Sequence, residues 1–215
     1  MSNKPQLIIF DCDGVLVDSE PLSNQIIAEE ITKLGYPMTT MEAFNVFAGG
    51  SLENVTTFIK EKIGGTVPDN LEAVYRKRSY ELFEKKLVAV AGIEDALKAL
   101  TIPRCVGSNG PLDKIKFNLG LTNLSTYFNE QHLFSAYDVN RWKPDPFLYL
   151  HAAKEMGVAP EHCVVVEDSV HGAQAGVAAG MRVLGYSPHN DGAKLKDVGA
   201  HVFDSMADLV ELVRQ

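Results

Sequence analysis

The sequence has few cysteines and no long apolar run. Its three cysteines, Cys12, Cys105 and Cys163, are an odd number without close pairing along the chain, which argues against a secreted disulfide framework. No stretch approaches the ~18 apolar residues of a membrane span, and the opening MSNKPQLIIF has too short an apolar run for a signal peptide. We therefore expect a cytoplasmic protein with reduced thiols and no membrane partner.

Positive charge is also scarce. The sequence contains 20 lysines and arginines against 28 aspartates and glutamates, which gives a net charge of −8. Nucleic-acid binding depends on neutralising phosphates with basic side chains, so we expect no nucleic-acid partner. The same surface repels a small anionic substrate at long range. A phosphate site in this chain therefore needs local positive charge from a metal ion, a lysine or oriented backbone amides.

Short apolar runs alternate with helical patterns along most of the chain. The predicted strands are Leu7–Phe10, Arg104–Gly107, His132–Ser135, Cys163–Val166, Arg182–Gly185 and His201–Phe203, and the predicted helices between them include Gly92–Leu100, Asp145–Met156, His171–Ala179 and Met206–Val213. These strand runs lack internal alternation, which is typical of strands buried on both faces. We predict an α/β fold with a doubly wound, Rossmann-like parallel sheet covered by helices.

Residues 18–87 follow a different pattern. No strong strand run is present there, apolar residues recur at helical spacing, and glycines divide the segment into about four helices. Ser19 and Pro21 are typical start signals for the first of these helices. We predict a helical cap domain over residues 18–87, inserted into an α/β core made of residues 1–17 and 88–215.

The segment LIIFDCDGVLVDSE, residues 7–20, is the most informative part of the sequence. A buried strand leads directly into Asp11 and Asp13, which alternation places on the same side of the chain. Gly14 then permits a sharp turn and a close approach by a ligand. Carboxylates at the carboxyl end of a parallel strand lie where α/β proteins bind ligands. Alternatively, Asp-Gly marks an ordinary turn, or Asp11 caps a helix.

The segment CVGSNGP, residues 105–111, also ends a predicted strand. Ser108 offers a hydroxyl, and the amides of Asn109 and Gly110 are suited to a small anion-binding concavity. Taken alone, the same residues also fit a plain strand-to-helix turn.

Two further segments place charged residues beside predicted elements. In RWKPDP, residues 141–146, Lys143 precedes a proline, so we expect extended backbone there and a helix just after it. In CVVVEDSVHG, residues 163–172, a strand ends in Glu167 and Asp168. Adjacent acids at the end of a buried strand are unfavourable unless they bind a cation or cap a helix. A solvated surface lysine and a helix-capping aspartate are the alternatives.

The order of these four segments resembles that of the haloacid dehalogenase superfamily of hydrolases, over essentially the whole chain and including the place of the inserted helical cap. Within it, the cap position and WKPDP are similar to the group of β-phosphoglucomutase, phosphoglycolate phosphatase and small sugar phosphatases, and in particular to bacterial phosphatases of the 6-phosphogluconate type. The resemblance implies that Asp11 attacks phosphate and forms an aspartyl-phosphate, that Asp13 is the general acid and base, and that the cap closes over the site.

The resemblance also implies a magnesium site and a phosphate-binding set. The implied Mg²⁺ ligands are Asp11, the backbone carbonyl of Asp13, Asp168 and, as a ligand or a supporting partner, Glu167. Ser108, Asn109, Gly110 and Lys143 are implied to hold the transferring phosphoryl oxygens. Magnesium prefers oxygen ligands and keeps several waters, so one or two carboxylates suffice to bind it.

The residue at position 13 separates two chemistries within the superfamily. Its dehalogenases lack an acid at the position that matches Asp13, because carbon–halogen cleavage needs no protonated alkoxide. The presence of Asp13 therefore favours a phosphatase over a dehalogenase.

The cap favours a phosphatase over a mutase. The β-phosphoglucomutases carry a hinge histidine where this sequence has Ser23, and a basic pair where it has Ala48 and Leu52. We expect a monomeric phosphatase for a small phosphorylated metabolite, a sugar phosphate or a sugar-acid phosphate such as 6-phosphogluconate. Gly50 and Ser51 are expected to touch the substrate; alternatively, they belong to a flexible turn between cap helices. A phosphosugar mutase and a non-catalytic binding protein remain open alternatives.

Overall fold

The computed structural model describes residues 4–47, 50, 52–64, 66–190 and 192–215. The chain divides into two compact units, an α/β unit of Met1–Val17 with Ala89–Gln215 and a helical unit of Asp18–Val88. Within the described ranges, no helix combines the length and the apolar character that crossing a membrane requires.

The α/β unit is built on a six-stranded parallel sheet, as the succession of strand and helix patterns in the sequence predicts. The strands are β1 (Leu7–Phe10), β2 (Arg104–Ser108), β3 (Leu133–Ser135), β4 (Cys163–Glu167), β5 (Arg182–Tyr186) and β6 (His201–Phe203). They lie in the order β3-β2-β1-β4-β5-β6. Every residue of β1 and β4 is buried, which explains why their sequences do not alternate.

Three strands run one residue further than their apolar sequences predict. Ser108, Glu167 and Tyr186 are the last residues of β2, β4 and β5. Ser108 pairs with Ser135, and Glu167 pairs with Gly185 in the parallel ladder. Polar residues that belong to the carboxyl ends of strands are held by backbone pairing rather than by a loose loop.

Helices flank the sheet on the chain segments between the strands. They are α5 (Ile93–Ala99), α6 (Leu112–Leu121), α7 (Ala136–Val139), α8 (Phe147–Glu155), α9 (Val170–Ala178), α10 (Ala193–Asp197) and α11 (Leu209–Arg214), with short 3₁₀ turns at Leu124–Tyr127, Glu130–His132 and Pro160–His162. The helix predicted from Asp145 begins two residues later, at Phe147, with Pro146 at its N-cap position. The helix predicted from Met206 begins at Leu209, because a turn precedes it in which Asp208 donates to the Ser205 carbonyl.

The helical unit contains α1 (Glu20–Lys33), α2 (Thr40–Phe47), α3 (Leu52–Phe58), a π-helical turn at Ile59–Ile63 and α4 (Leu71–Lys86). Ser19 lies at the N-cap position of α1 and Pro21 in its first turn, yet the Ser19 side chain accepts no capping hydrogen bond. The unit has its own apolar cluster, which consists of Ile27, Ala28, Ile31, Ala43, Phe47, Val55, Ile59 and Leu71. The two ends of the unit are joined by a hydrogen bond from the Asp18 amide to the Val88 carbonyl, at 2.9 Å.

Candidate active site

Three carboxylates meet at the carboxyl ends of β1 and β4. Asp11 directly follows β1, Glu167 ends β4, and Asp168 comes next. The two strands pair in parallel, and the Asp11 amide donates to the Val166 carbonyl at 2.9 Å. One carboxylate oxygen from each of the three acids lies within 4.8 Å of the others. The sheet register therefore concentrates negative charge at one point, although Asp11 and Glu167 are both buried.

Lys143 supplies the opposite charge at the same point. Its ammonium lies 2.8 Å from Asp11 Oδ1 and 2.7 Å from Glu167 Oε1, and only 3% of its side chain is exposed. Its backbone amide donates to Asn109 Oδ1 at 2.9 Å, which fastens the lysine loop to the end of β2. Lys143 is thus a buried partner of the acids rather than the solvated surface lysine that its sequence alone also allows.

Both oxygens of Glu167 are held by hydrogen-bond donors. Oε1 accepts from Lys143 and from the Tyr149 hydroxyl at 2.8 Å. Oε2 accepts from the amides of Asp168 and Ser169 at 3.0 and 2.9 Å, and from the Ser169 hydroxyl at 2.9 Å. A carboxylate with this many donors is fixed in its ionised form, so Glu167 is well suited to position Lys143.

Burial and charge pull the pKa values of this cluster in different directions. Burial raises the pKa of Asp11 to about 7, even though Lys143 opposes the shift, and Glu167 adds to it. Burial alone would also raise the pKa of Glu167, but Lys143 and the surrounding donors outweigh it and hold that pKa below its ordinary value. Burial would lower the pKa of Lys143, but Asp11 and Glu167 together raise it. The lysine is therefore a permanent cation, and Asp11 is the acid whose charge a further cation would favour.

Two glycines allow the carboxylates to lie directly against the backbone. Gly14 has a left-handed φ of +76°, and a Cβ there would lie 1.9 Å from Asp168 Oδ2. A Cβ on Gly172, in the first turn of α9, would lie 1.7 Å from Glu167 Oε1. The close approach expected at Gly14 is thus made by the Asp168 carboxylate of the chain itself.

The Ser-Asn-Gly segment lies at the end of β2. Ser108 is buried, with 2% of its surface exposed, and its hydroxyl accepts a hydrogen bond from the Gly110 amide at 3.1 Å. The Asn109 side chain accepts from Lys143, as described above. The Gly110 amide, which the sequence suggests as an anion ligand, is therefore directed at the Ser108 oxygen in this structure.

Asp13 is held by two side chains that the sequence reasoning missed. Lys114 Nζ lies 2.7 Å from Asp13 Oδ2, and Asn118 Nδ2 donates to Oδ1 at 3.2 Å. Both residues belong to α6 and are four positions apart, so they lie on one face of that helix. The sequence feature that could have identified them is a pair of polar residues on the helix face that should be apolar in an amphipathic helix.

The substrate contacts predicted for the cap belong to the helical unit rather than to the α/β unit. Gly50 lies in the helical unit, where its amide donates to the Phe47 carbonyl at 2.8 Å. Leu52, one of the two positions compared with the basic pair of the mutases, begins α3. Ser51 and Ala48 lie outside the described residues, so a substrate contact at Gly50 and Ser51 stays a prediction.

The acidic cluster has the chemistry of a site for a hard divalent cation. Its donors are carboxylate oxygens of Asp11, Glu167 and Asp168, and one oxygen of each lies within reach of a common centre. Hard cations such as Mg²⁺ prefer oxygen ligands of this kind. The five donors already on Glu167 leave Asp11 and Asp168 as the carboxylates best suited to bind such an ion directly.

Comparisons with known proteins identify relatives of this chain. The family model described as haloacid dehalogenase-like hydrolase matches residues 5–180. The chain is 41% identical over 188 residues to the 6-phosphogluconate phosphatase of Escherichia coli (strain K12), with 86% of this chain and 85% of that protein covered. A conserved haloacid dehalogenase-like protein of unknown function from Agrobacterium tumefaciens has a TM-score of 0.90 at 36% identity, with 97% of each chain covered. A HAD family hydrolase from Deinococcus radiodurans, solved with bound phosphate and sodium, has a TM-score of 0.82 at 30% identity, with 97% of this chain and 94% of that chain covered.

Proposed function

The chain belongs to the haloacid dehalogenase-like hydrolase family and is a phosphatase, and we propose that it hydrolyses a sugar phosphate or sugar-acid phosphate through an aspartyl-phosphate on Asp11. The observation that carries the proposal is the buried ion cluster of Asp11, Lys143 and Glu167 at the carboxyl edge of the parallel sheet. This edge is where open α/β sheets bind their ligands.

Asp11 is assigned as the nucleophile. Its carboxylate attacks the phosphorus atom, the bond from phosphorus to the leaving oxygen breaks, and the phosphoryl group is left on Asp11 as an acyl phosphate. An anionic carboxylate repels a phosphate dianion, so the approach needs positive charge nearby. Lys143, 2.8 Å from Asp11, provides that charge in a buried place where water screens it little.

Asp13 is assigned as the general acid and base. It protonates the leaving alkoxide in the first step and takes a proton from the attacking water in the second step, which regenerates Asp11. Ser108 ends β2, and Asn109, which follows it, is hydrogen-bonded to Lys143. Both are proposed to bind the equatorial phosphoryl oxygens. Asp13 lies two residues after Asp11, so both groups reach the same phosphoryl group from one turn of the chain.

A magnesium ion fits the donor set of Asp11 and Asp168, together with the backbone carbonyl of Asp13. When bound, such an ion supplies Lewis-acid stabilisation of the phosphate charge. The Asp168 carboxylate lies directly against the Gly14 backbone, next to Asp13. The Mg²⁺ requirement is part of the proposal.

The substrate class rests on the 41% identical 6-phosphogluconate phosphatase. We propose a small metabolite with one phosphate on a primary alcohol, and we assign the helical unit, through Gly50 and Ser51, to the choice among such metabolites. Exchange of these two residues for bulkier ones is expected to raise KM while kcat for small substrates stays near its starting value.

The test is phosphate release from a panel of metabolites, with and without Mg²⁺, by the wild-type chain and by Asp11→Asn. The panel contains 6-phosphogluconate, hexose 6-phosphates, β-glucose 1-phosphate and phosphoglycolate. We expect Mg²⁺-dependent release from a sugar or sugar-acid phosphate, and a loss of at least about 10⁴-fold in Asp11→Asn, because that variant lacks the nucleophile. Asp95→Asn is the matched control. It makes the same chemical change at a side chain that is 89% exposed and is not part of the site.

Two outcomes would contradict the proposal. Phosphate release that persists in Asp11→Asn would refute the aspartyl-phosphate mechanism while leaving the family assignment intact. Conversion of β-glucose 1-phosphate to its isomer without free phosphate would identify a phosphosugar mutase.

A further inference from the structure

The α6 contacts to Asp13 include a buried amide group. Asn118 has no exposed surface, and its Nδ2 donates to Asp13 Oδ1 at 3.2 Å. The other end of the amide, Oδ1, is buried and has no hydrogen-bond partner among the described residues of the chain. Asn118 therefore satisfies only one side of its amide, and that side faces Asp13.

This arrangement is unfavourable for stability alone. A buried acceptor without a donor costs about 1–3 kcal/mol, and an apolar side chain of similar volume would avoid that cost. The neighbouring buried residues of α6, Ile115 and Leu119, are apolar. The asparagine is thus an exception within the packed face of its own helix, and what distinguishes its position is contact with the Asp13 carboxylate.

The direction of the amide follows from charge. If the amide were turned over, its oxygen would face Asp13 Oδ1 at about hydrogen-bonding distance, and two acceptors would repel each other. Lys114 holds the second oxygen, Oδ2, at 2.7 Å. One helix thus holds both oxygens of the carboxylate and fixes the plane of the group.

The held carboxylate still faces open space. A quarter of the Asp13 side chain is exposed. A Cβ placed on Gly110 would lie 3.4 Å from Ser108 Oγ, 3.6 Å from Lys114 Cδ and 4.0 Å from Asp13 Oδ2, so the serine hydroxyl and the acid both lie next to this glycine. We infer that the leaving group of a phosphate bound at Ser108 would meet Asp13 through this exposed part of its side chain.

We propose that Asn118, together with Lys114, is a positioning residue that holds the Asp13 carboxyl group in the orientation from which its protonated form gives its proton to the leaving group. The proposal rests on the function assigned to Asp13 above. Asn118 does not touch the reacting atoms; it acts through Asp13.

The decisive variant is Asn118→Leu, which removes the amide, keeps the branching and the number of side-chain heavy atoms, and changes no charge. The rate of the first half-reaction is measured in a single turnover with two substrates, the metabolite that the wild type hydrolyses fastest and p-nitrophenyl phosphate. The alkoxide needs a proton, whereas the nitrophenolate leaves without one. We expect the metabolite rate to fall about 10- to 100-fold, the value of a hydrogen bond to a charged group, and the nitrophenyl rate to change less than about threefold.

Thermal unfolding without metal separates positioning from a structural role. Asn118→Leu removes both an unpaired buried oxygen and a hydrogen bond to Asp13, and these two changes are of similar size and opposite sign. We therefore expect its Tm to stay close to that of the wild type while the metabolite rate falls. A lower Tm with equal losses on both substrates would overturn the proposal. Asn24→Leu is the matched control, because Asn24 is also buried with an unpaired Oδ1 but belongs to α1 of the helical unit. The ratio of its two rates is expected to match that of the wild type.

Activity measurements on Asp13→Asn, alone and combined with Asn118→Leu, show whether the positioning role or the proposed function itself has failed. Asn118→Leu should cause no further loss there, because the group that it positions is already gone. If the wild type releases no phosphate, or Asp13→Asn retains full activity on the metabolite, the proposed function fails. If Asp13→Asn is inactive on the metabolite and Asn118→Leu equals the wild type, only the positioning role fails. Should Asn118→Leu not fold, Lys114→Met removes the other contact, and the same selective loss is expected.

Discussion

Each of the two units contains a basic side chain that bridges two carboxylates, but only one of these clusters is buried. In the α/β unit, Lys143 joins Asp11 and Glu167, and its side chain is 3% exposed. In the helical unit, Arg78 of α4 joins Glu29 and Glu30 of α1, and its side chain is 27% exposed. In both clusters one cation bridges two carboxylates, although Glu30 also pairs with Lys33 and the α/β cluster also contains Asp168. The clearest difference between them is how deeply the bridging cation is buried.

The pKa values show how large the effect of burial is. A hydrogen bond from Gln25 and then contacts with Arg78 lower the pKa of Glu29, as expected for a solvated ion pair. Burial raises the pKa of Asp11 to about 7 although Lys143 lies beside it. The helical-unit cluster is a partly exposed ion-pair network that links α4 to α1. The cluster of the α/β unit is a site where negative charge is unfavourable unless a cation is added, which suits metal and phosphate chemistry.

Removal of Lys143 should produce the largest difference in stability between the two clusters. In Lys143→Met, two buried carboxylates lose their cation, so we expect the free energy of unfolding to fall by about 3–5 kcal/mol at neutral pH. Urea unfolding without metal measures it. Lys98→Met is the control, because that lysine is 55% exposed and pairs with Glu94 on the surface. A loss as small as that of the control would mean that water reaches the cluster.

The pH dependence of stability is the next largest effect. Asp11 has an ordinary pKa of 3.8 and a pKa of about 7 in the folded chain, so the fold favours its neutral form. Its contribution to stability is complete below pH 3.8 and is lost as the pH rises through 7. Between pH 5.5 and 8 we expect the metal-free protein to lose stability on the order of 2 kcal/mol from this group.

Two comparisons check this pH dependence. Asp11→Asn should flatten the pH profile of urea unfolding, since its amide does not titrate. Mg²⁺ binds the ionised carboxylate, so the rise in Tm that it causes should be larger at pH 8 than at pH 5.5. Equal pH slopes in the wild type and in Asp11→Asn would contradict the raised pKa.

Disruption of the helical-unit cluster should have the smallest effect. Arg78→Met breaks two partly exposed ion pairs, and we expect it to lower the free energy of unfolding by less than about 1 kcal/mol. High salt should weaken this contribution in the wild type, whereas it should leave that of Lys143 nearly unchanged. A loss comparable with that of Lys143→Met would show that burial does not distinguish the two clusters.

The sequence predicted the parallel sheet because buried strands such as β1 and β4 leave an uninterrupted apolar run of four residues. It also indicated where polar groups gather, since parallel strands end at one edge. Strand ends and helix starts were less accurate. The apolar signal stops before Ser108 and Glu167, which the ladder nevertheless pairs, and the proline-rich segment before Phe147 delays α8.

The contacts around the acids were not readable in advance. Tyr149 and Asn118 lie within helices, far along the chain from Glu167 and Asp13, and a helical pattern does not report which buried residue meets a strand end. The burial of Lys143 depends on the same long-range packing. The substrate is harder still to predict from the sequence, because it depends on cap residues that are not positioned by a strand.

The glycines behind the acids limit how the protein can be changed by mutation. At Gly14 and Gly172 even one added methyl group would collide with a carboxylate, at 1.9 and 1.7 Å. Any library that samples these two positions should consist almost entirely of inactive clones, whatever residues are offered. Laboratory evolution toward a new substrate therefore has to proceed through other positions, and the helical unit is the place to begin the search.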